Sequence, residues 1–237
     1  DGYYTIEYAP HLVWLSNYVN SAEYKANPET VLARQTKNIS LKEFCHPANE
    51  ETGETELNWE PIGKNGFIGE YDGGSHWITD LYINNSTANY QGLFGQVGAM
   101  VGKKAPDFTT KLHHIKIHGN ITANNYVGLI AGYMSVGEMY MCLTGRYSSL
   151  PVVRSKSNSS SGTFIGGLVG KAGSTGGEPN SSIHHCFVDN VHIYSESTKN
   201  YGYVGGIVGR SYWPLSCCQS TDITIEAKGT NQVGGIV

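Results

Sequence analysis

The amino-acid sequence predicts an all-β fold, a right-handed parallel β-helix (β-solenoid) in which successive coils stack along one axis. A glycine-rich motif occurs five times, short apolar segments recur upstream of it, and the composition is β-rich. Of 237 residues, 30 are glycine, 16 are tyrosine and only 15% are charged, which is typical of strands and turns. Segments that repeat every ~20 to 50 residues and cannot bury an apolar face alone must stack on one another.

The first 60 residues lack the repeat and are expected to close one end of the stack. Leu12, Leu15 and Val19 share one face at helical spacing, which predicts a helix over residues 9–20. The end of a solenoid exposes its core and needs a cap. We therefore expect residues 1–60 to form an N-terminal cap, with this helix and the first strands, and residues 61–237 to form the repeat solenoid.

The glycine motif is expected to mark one tight turn in each coil. Its copies close at Gly95, Gly132, Gly170 and Gly209, spaced by 37, 38 and 39 residues, and the last copy, 233–237, is expected to be cut inside the repeat. Coils lie ~4.8 Å apart, so small residues let the backbone turn beneath its neighbour. A propeller would need about four strands per unit, and only two or three strand-like segments are visible. The structural glycines are Gly92, Gly95, Gly128, Gly132, Gly166, Gly167, Gly170, Gly205, Gly206, Gly209, Gly234 and Gly235.

Two apolar columns precede the glycine motif. The first contains Ile78, Leu112, Met139, Ile183 and Leu215, and the second contains Leu81, Ile115, Cys142, Cys186 and Cys218. Thiols in an interior column pack as small apolar groups. With five cysteines and no Cys-x-x-Cys pair, buried free thiols are favoured over a disulfide framework.

These motifs resemble those of the GLUG-motif repeat family of bacterial cell-surface adhesin-like β-helix proteins. The resemblance covers nearly the whole chain and depends on 59–63 (WEPIG), 67–78 (FIGEYDGGSHWI), 92–95 (GLFG) and the later GGLVG-like copies. It implies a secreted protein of the bacterial cell surface, a role in cell adhesion, and no catalytic site of its own. The family is also found attached to immunoglobulin-A-type peptidases. Asn38 stands where the family commonly has Asp, and Gly128-Leu129 replaces the usual glycine pair.

The columns align no pair of acids for catalysis. A glycosidase needs two carboxyl groups ~5 to 9.5 Å apart, and Asp222 lies only diagonal to Asp189. The other aligned positions carry no acid: they are His114, Met141, His185 and Cys217 for Asp80, and His118, Gly145 and Thr221 for Asp189. We therefore expect no catalytic residue and no cofactor.

Two histidine pairs, His113-His114 and His184-His185, occupy equivalent positions and raise the question of a metal site. They are two coils apart, ~9.6 Å, with Tyr140-Met141 between them, and no carboxylate or thiolate is expected at that face. The segment 72–76 (DGGSH) lacks the further acids of a calcium loop and is typical of a tight turn. No metal site is therefore predicted.

An aromatic column, Tyr90, Tyr126, Phe164 and Tyr203, begins four copies of the glycine motif. Rings that face solvent would form a ladder on which a sugar or a partner could bind. Rings that face inward would be core. The sequence leaves both alternatives open.

Charge and hydropathy limit the kinds of partner that the chain is expected to bind. The net charge is −4 and the 16 basic residues are scattered, so nucleic acid is not an expected partner. No apolar run approaches the ~20 residues of a membrane-spanning helix, and no transmembrane segment is expected in this fragment.

The expected function is a non-catalytic adhesion module that binds a host or matrix protein or glycan. The alternatives are a carbohydrate-active β-helix enzyme or glycan-binding accessory domain, or a non-catalytic segment of a secreted peptidase.

Overall fold

The structure is a computed structural model that describes residues 2–98, 109–157, 162–174, 181–197, 201–228 and 231–237. In these ranges the strands form three sheets, and the strands within each sheet pair in parallel. The first sheet contains Tyr4–Ile6, Val31–Gln35, Gly69–Asp72, Lys111–His113, Glu138–Tyr140, Ser182–His184 and Leu215–Ser216. The second contains Ile39–Ser40, Trp77–Gln91, Lys116–Val127, Leu143–Thr144, Val152–Ser155, Thr163–Gly166, Phe187–Asp189, His192–Ser195, Gly202–Gly205, Gln219–Thr221, Thr224–Ala227 and Asn231–Gly234. The third contains Phe94–Val97, Ala131–Met134, Val169–Ala172 and Val208–Ser211.

Each coil visits the sheets in turn and then returns one layer further along the stack. The strand Glu138–Tyr140, for example, pairs in parallel with Ser182–His184 of the next coil. Such parallel pairing between segments about 40 residues apart is a solenoid-like arrangement. The prediction of an all-β fold with parallel stacked coils is thereby confirmed, and a propeller is excluded because its blades pair sequential strands within one unit.

The core consists of ladders of apolar side chains, because every second residue of each strand points inward. Leu112, Met139 and Ile183 follow one another in register and are fully buried. Cys142 and Cys186 continue the next column as buried thiols, with Cys218 half-buried below them. All five cysteines are free thiols, as the sequence predicts.

The coil that contains the strands Gly69–Asp72 and Trp77–Gln91 is offset from the columns that the sequence predicts for it. Ile78 is not opposite Leu112, because Tyr71 pairs there instead and the prediction is wrong. Ile78 lies instead opposite Ile117, in the next strand along the coil. Five residues separate Tyr71 from Trp77, whereas three separate their partners Leu112 and Lys116, so the register also changes by two residues at this turn.

The same offset affects two further positions. Leu81 is not in the cysteine column; it pairs with Gly119. Asp80 does not share a corner with His114, because Ser75 occupies that corner and its N–H donates to the carbonyl of His114 over 2.9 Å. These two predictions are also wrong.

Close approach of backbone atoms leaves little or no room for a side chain at the motif glycines other than Gly235. A Cβ built on Gly170 would lie 2.5 Å from the carbonyl oxygen of Gly132 and 2.5 Å from the amide nitrogen of Val127. Gly209 stacks below in the same way, against the oxygen of Gly170 at 2.6 Å. None of the motif glycines has a positive φ, so contact distance, rather than a left-handed conformation, excludes a side chain here.

A helix spans Ala9–Asn20, the stretch for which the periodicity predicts one, and a second, short helix follows at Ala22–Ala26. Leu12, Leu15 and Val19 are buried in the same core as the coils. A strand that the sequence analysis does not predict, Tyr4–Ile6, precedes the helix and pairs with Val31–Gln35. Among the described residues, no helix has the length and apolar character needed to cross a membrane.

Candidate functional site

The corner after the first sheet turns both histidines of each pair to the same side. Strand residues normally alternate between faces, but His114 and His185 have positive φ, 53° and 52°, which is uncommon outside glycine and breaks the alternation. As a result the Nδ1 atoms of His113 and His114 lie 2.8 Å apart, and those of His184 and His185 lie 2.9 Å apart. The equivalence of the two pairs follows from the sequence, but this ring geometry does not.

Two carboxylates adjoin the first histidine pair. Glu70 and Asp72 occupy alternate positions of the strand Gly69–Asp72, and Asp72 is directly opposite His113 in the next coil. Asp72 Oδ1 lies 3.5 Å from His113 Nδ1 and 3.9 Å from His114 Nδ1, and Glu70 Oε1 lies 3.1 Å from His113 Nε2. The expectation that no carboxylate reaches this face is therefore wrong. The error arises because the sequence prediction places Ile78, rather than Tyr71, opposite Leu112.

Both carboxylates are held by further donors. The Tyr3 hydroxyl donates to Glu70 over 2.5 Å, and Arg34 Nε donates to Asp72 Oδ2 over 3.0 Å. Burial alone would raise the pKa of Glu70, but the hydrogen bonds from Tyr3 and His113 outweigh it and lower the pKa overall. Asp72 also accepts from the Gly74 amide at 2.9 Å, which fits the turn predicted over 72–76.

The predicted aromatic column is a stack of rings across four coils. The ring centroids of Tyr90 and Tyr126 lie 4.5 Å apart, those of Tyr126 and Phe164 lie 4.7 Å apart, and those of Phe164 and Tyr203 lie 5.4 Å apart. The interplanar angles are 25°, 26° and 2°, so the rings cover one another's faces. Three of the rings are half-buried and Phe164 is buried, while Gln91 and Val127, the residues after the first two rings, are buried. The column thus offers ring edges, rather than open faces, to solvent.

Two cations of the third sheet lie against this stack. Lys171 and Arg210 are paired in register in adjacent coils. Arg210 lies 4.4 Å from the ring centroid of Tyr203, and Lys171 lies 5.4 Å from that of Phe164. Burial and then the charge of Arg210 lower the pKa of Lys171. Within the residues that the structure describes, neither cation has an acidic partner. We call the four rings and these two cations the aromatic–cation ladder.

A separate cleft of about 250 Å³ contains a thiol, a carboxylate and an imidazole: Cys45, Asp80 and His118 line it. Burial raises the pKa of Cys45 to about 11, so its sulfur is a thiol and not a nucleophilic thiolate. Burial lowers the pKa of His118, whose Nε2 lies 3.3 Å from the Ser149 carbonyl oxygen. The sequence alone does not reveal this cleft, because Ser148 and Ser149, which are distant in sequence from Cys45 and Asp80, line part of it.

The two carboxylates of the candidate acid pair, Asp189 and Asp222, have different surroundings. Asp189 pairs in register with Thr221, as the sequence predicts, and accepts from its hydroxyl at 2.6 Å and from the Asn190 amide at 2.9 Å. These hydrogen bonds lower the pKa of Asp189. Asp222 is exposed at a corner with φ of 48°.

The comparisons with known proteins support the fold more than the function. No family model matches the sequence. A 133-residue stretch is 29% identical to the "Putative Gly-rich membrane protein" of Evansella cellulosilytica. The match covers 52% of this chain and 13% of that protein. The crystal structure of a "putative immunoglobulin A1 protease" from Bacteroides ovatus superposes with a TM-score of 0.56 over 99% of this chain and 84% of that chain, at 12% identity. At this identity the likeness shows a shared fold.

Proposed function

We propose that this chain is a non-catalytic repeat module of a secreted bacterial cell-surface protein, of the GLUG-motif kind, and that it adheres to an anionic glycan of a host or matrix surface. The observation that carries the proposal is the aromatic–cation ladder, which crosses four coils on the outside of the solenoid. The names of the two similar proteins, a membrane protein and a protease, are compatible with a place at the cell surface.

The geometry of the ladder favours an anionic ligand. Stacked rings cannot accept a sugar on their covered faces, and the edge of an aromatic ring carries the positive part of its quadrupole. Lys171 and Arg210 add two cations one coil apart that repel one another. A carboxylate or sulfate at this position would neutralise that repulsion in a partly desolvated setting.

The extent of the ladder favours a polymer. The rings span four coils, or ~14 Å at ~4.8 Å per layer, and two adjacent coils of the four carry a cation, whereas Tyr133 and Gln96 occupy the equivalent positions in the other two. This arrangement suits a charged chain that extends along the stack. Many weak contacts repeated along a surface protein would gain strength through avidity. A glycoprotein of the host matrix that carries such a glycan would be recognised in the same way.

The described titratable groups support a non-catalytic role. A glycosidase needs a general acid with a raised pKa, whereas the hydrogen bonds on Asp189 lower its pKa. The cleft at Cys45 holds a protonated thiol. A carbohydrate-active enzyme is therefore the weaker alternative, and the experiment below distinguishes it by product release.

We also infer the hand and the role of the first helix. Connections between parallel strands of one sheet are right-handed in about 98% of cases, so we take the coils to wind to the right. The helix Ala9–Asn20 buries Leu12, Leu15 and Val19 against the core, and Ser16 Oγ donates to the Glu60 carbonyl over 2.7 Å. We infer that it caps one end of the solenoid.

The proposal is tested by binding to immobilised polysaccharides. We expect binding to heparin and hyaluronan but not to neutral dextran, and a loss of binding as salt rises. The double variant Lys171→Gln/Arg210→Gln should lose binding without loss of folding. Arg154→Gln is the matched control, because Arg154 lies 4.5 Å from the Tyr194 ring, much like Arg210 on Tyr203, but is already paired with Glu196.

Two results would contradict this function. Equal binding of the double variant and the wild type would show that the aromatic–cation ladder is not the binding site. Release of products from any polysaccharide or peptide, abolished by Asp189→Asn or Asp222→Asn, would make the chain an enzyme.

A further inference from the structure

We propose that His113 Nδ1, His114 Nδ1 and Asp72 Oδ1 bind one zinc ion at the corner of the first sheet. Their ligand atoms all lie within 4.8 Å of one another. The three residues come from adjacent coils, so the ion would link the strand Gly69–Asp72 to the strand Lys111–His113. This site is separate from the aromatic–cation ladder and does not depend on the proposed function.

The spacing of the ligand atoms suits tetrahedral zinc. With bonds of ~2.0 to 2.1 Å, two ligand atoms of such a site lie about 3.3 to 3.4 Å apart. The measured separations are 2.8 Å between the two Nδ1 atoms, and 3.5 Å and 3.9 Å from Asp72 Oδ1 to His113 and His114. A shift of about 1 Å in the His114 ring, toward Asp72, would bring the three separations to about 3.3 to 3.5 Å, and that side chain is 35% exposed, which leaves it room to move.

An outer layer of hydrogen bonds already orients the ligands. Glu70 lies 3.1 Å from His113 Nε2, and an Nε2–H that donates to this carboxylate leaves the lone pair of the neutral ring on Nδ1. Arg34 and the Gly74 amide fix the carboxylate of Asp72. Such carboxylate–histidine contacts are the usual second layer around protein-bound zinc.

The second histidine pair shows what Asp72 contributes. His184 and His185 repeat the close Nδ1 contact, at 2.9 Å, with rings 87° apart. The neighbours of His184 across the sheet are Tyr140 and Ser216, and among the described residues only the set with Asp72 brings three metal-ligating groups together. The chain therefore contains an internal control with two imidazoles and no carboxylate.

The ligand types select the ion. Two imidazole nitrogens and one carboxylate oxygen favour Zn²⁺ and its neighbours over Ca²⁺ and Mg²⁺, which prefer oxygen alone. Three protein ligands leave the fourth tetrahedral position to water. Zinc would require both Nδ1 atoms to be unprotonated, because a ligating imidazole must present its lone pair, and a proton on either atom would be released to solvent.

The experiment titrates chelator-treated protein with ZnCl₂ by calorimetry and follows thermal unfolding in parallel. We expect one zinc ion per chain and a rise in Tm of about 5 °C or more when free zinc exceeds Kd a hundredfold. Asp72→Asn and His114→Gln should each weaken binding about tenfold or more. Replacement of zinc by Co²⁺ should give the visible absorption of a tetrahedral site in the wild type and not in these variants.

Matched variants make the proposal falsifiable. His185→Gln and Cys217→Ser, which alter the second pair and the exposed thiol, should bind zinc as the wild type does. The proposal is overturned if the wild type binds no zinc, if both ligand variants bind it with unchanged affinity, or if either matched variant abolishes binding. His114→Gln decides the matter should Asp72→Asn fail to fold, because the imidazole of His114 lies partly in solvent.

Discussion

A methyl group at Gly170 should destabilise the solenoid more than most single substitutions do. Gly170→Ala would place Cβ 2.5 Å from Gly132 O and Val127 N, about 0.9 Å inside the ordinary contact distance of 3.4 Å. Both atoms belong to backbone in paired strands, so no rotamer change can relieve the overlap. Overpacked side chains in a core cost about 1 to 3 kcal/mol; with rigid backbone on two sides we expect about 3 kcal/mol or more.

The control is a buried glycine without this overlap. A Cβ at Gly145 would lie 3.4 Å from Asp189 O, an ordinary contact, and its φ is not positive. Gly145→Ala should therefore be neutral or stabilise the protein by about 0.4 to 1 kcal/mol, through the lower entropy of the unfolded chain.

The assay is thermal unfolding followed by circular dichroism, with urea unfolding for the free energy. At about 2 to 4 °C per kcal/mol for a chain of this size, Gly170→Ala should lower Tm by about 6 to 12 °C. Gly209→Ala should do the same, because a Cβ on Gly209 would lie 2.6 Å from Gly170 O. If both variants melt within about 1 °C of Gly145→Ala, close stacking of the coils at this turn is refuted.

Two further predictions concern titratable groups. Burial holds the pKa of His118 below its usual 6.5, so the unfolded chain takes up a proton first; this contribution to stability is present above pH ~6.5 and is lost as pH falls through the folded-state pKa. The free energy of unfolding should accordingly fall between pH 7.5 and 5, less steeply in His118→Gln, and equal slopes would contradict the reasoning. Thiol titration in denaturant should find all five cysteines reduced, whereas oxidation of all but one in the native protein would show that the buried-thiol assignment is wrong.

Much of the fold follows from the sequence because its period is local and strict. The glycine copies recur at nearly constant spacing, and the cysteine column of Cys142, Cys186 and Cys218 follows because each cysteine lies three residues after an apolar residue of the preceding column. The helix at 9–20 follows from apolar spacing alone. In each case one face of a segment must be buried, and the positions of its apolar residues identify that face.

The candidate sites depend on the pairing register of individual strands, which the repeat period does not determine. Asp72 lies opposite His113 because the strand Gly69–Asp72, and not the segment around Ile78, pairs with Lys111–His113. An aliphatic residue such as Ile78 fits the column as well as Tyr71 does on hydropathy grounds. Only the hydrogen-bond register distinguishes them.

By itself the sequence determined that the chain stacks in coils, where the coils turn, and which thiols are interior, because burial of apolar faces leaves few other solutions. The tertiary structure decided which side the stacked rings face and which charges meet across coils. Those contacts join residues about 40 positions apart, across turns of unequal length, and a change of one residue in a turn reassigns every partner that follows it.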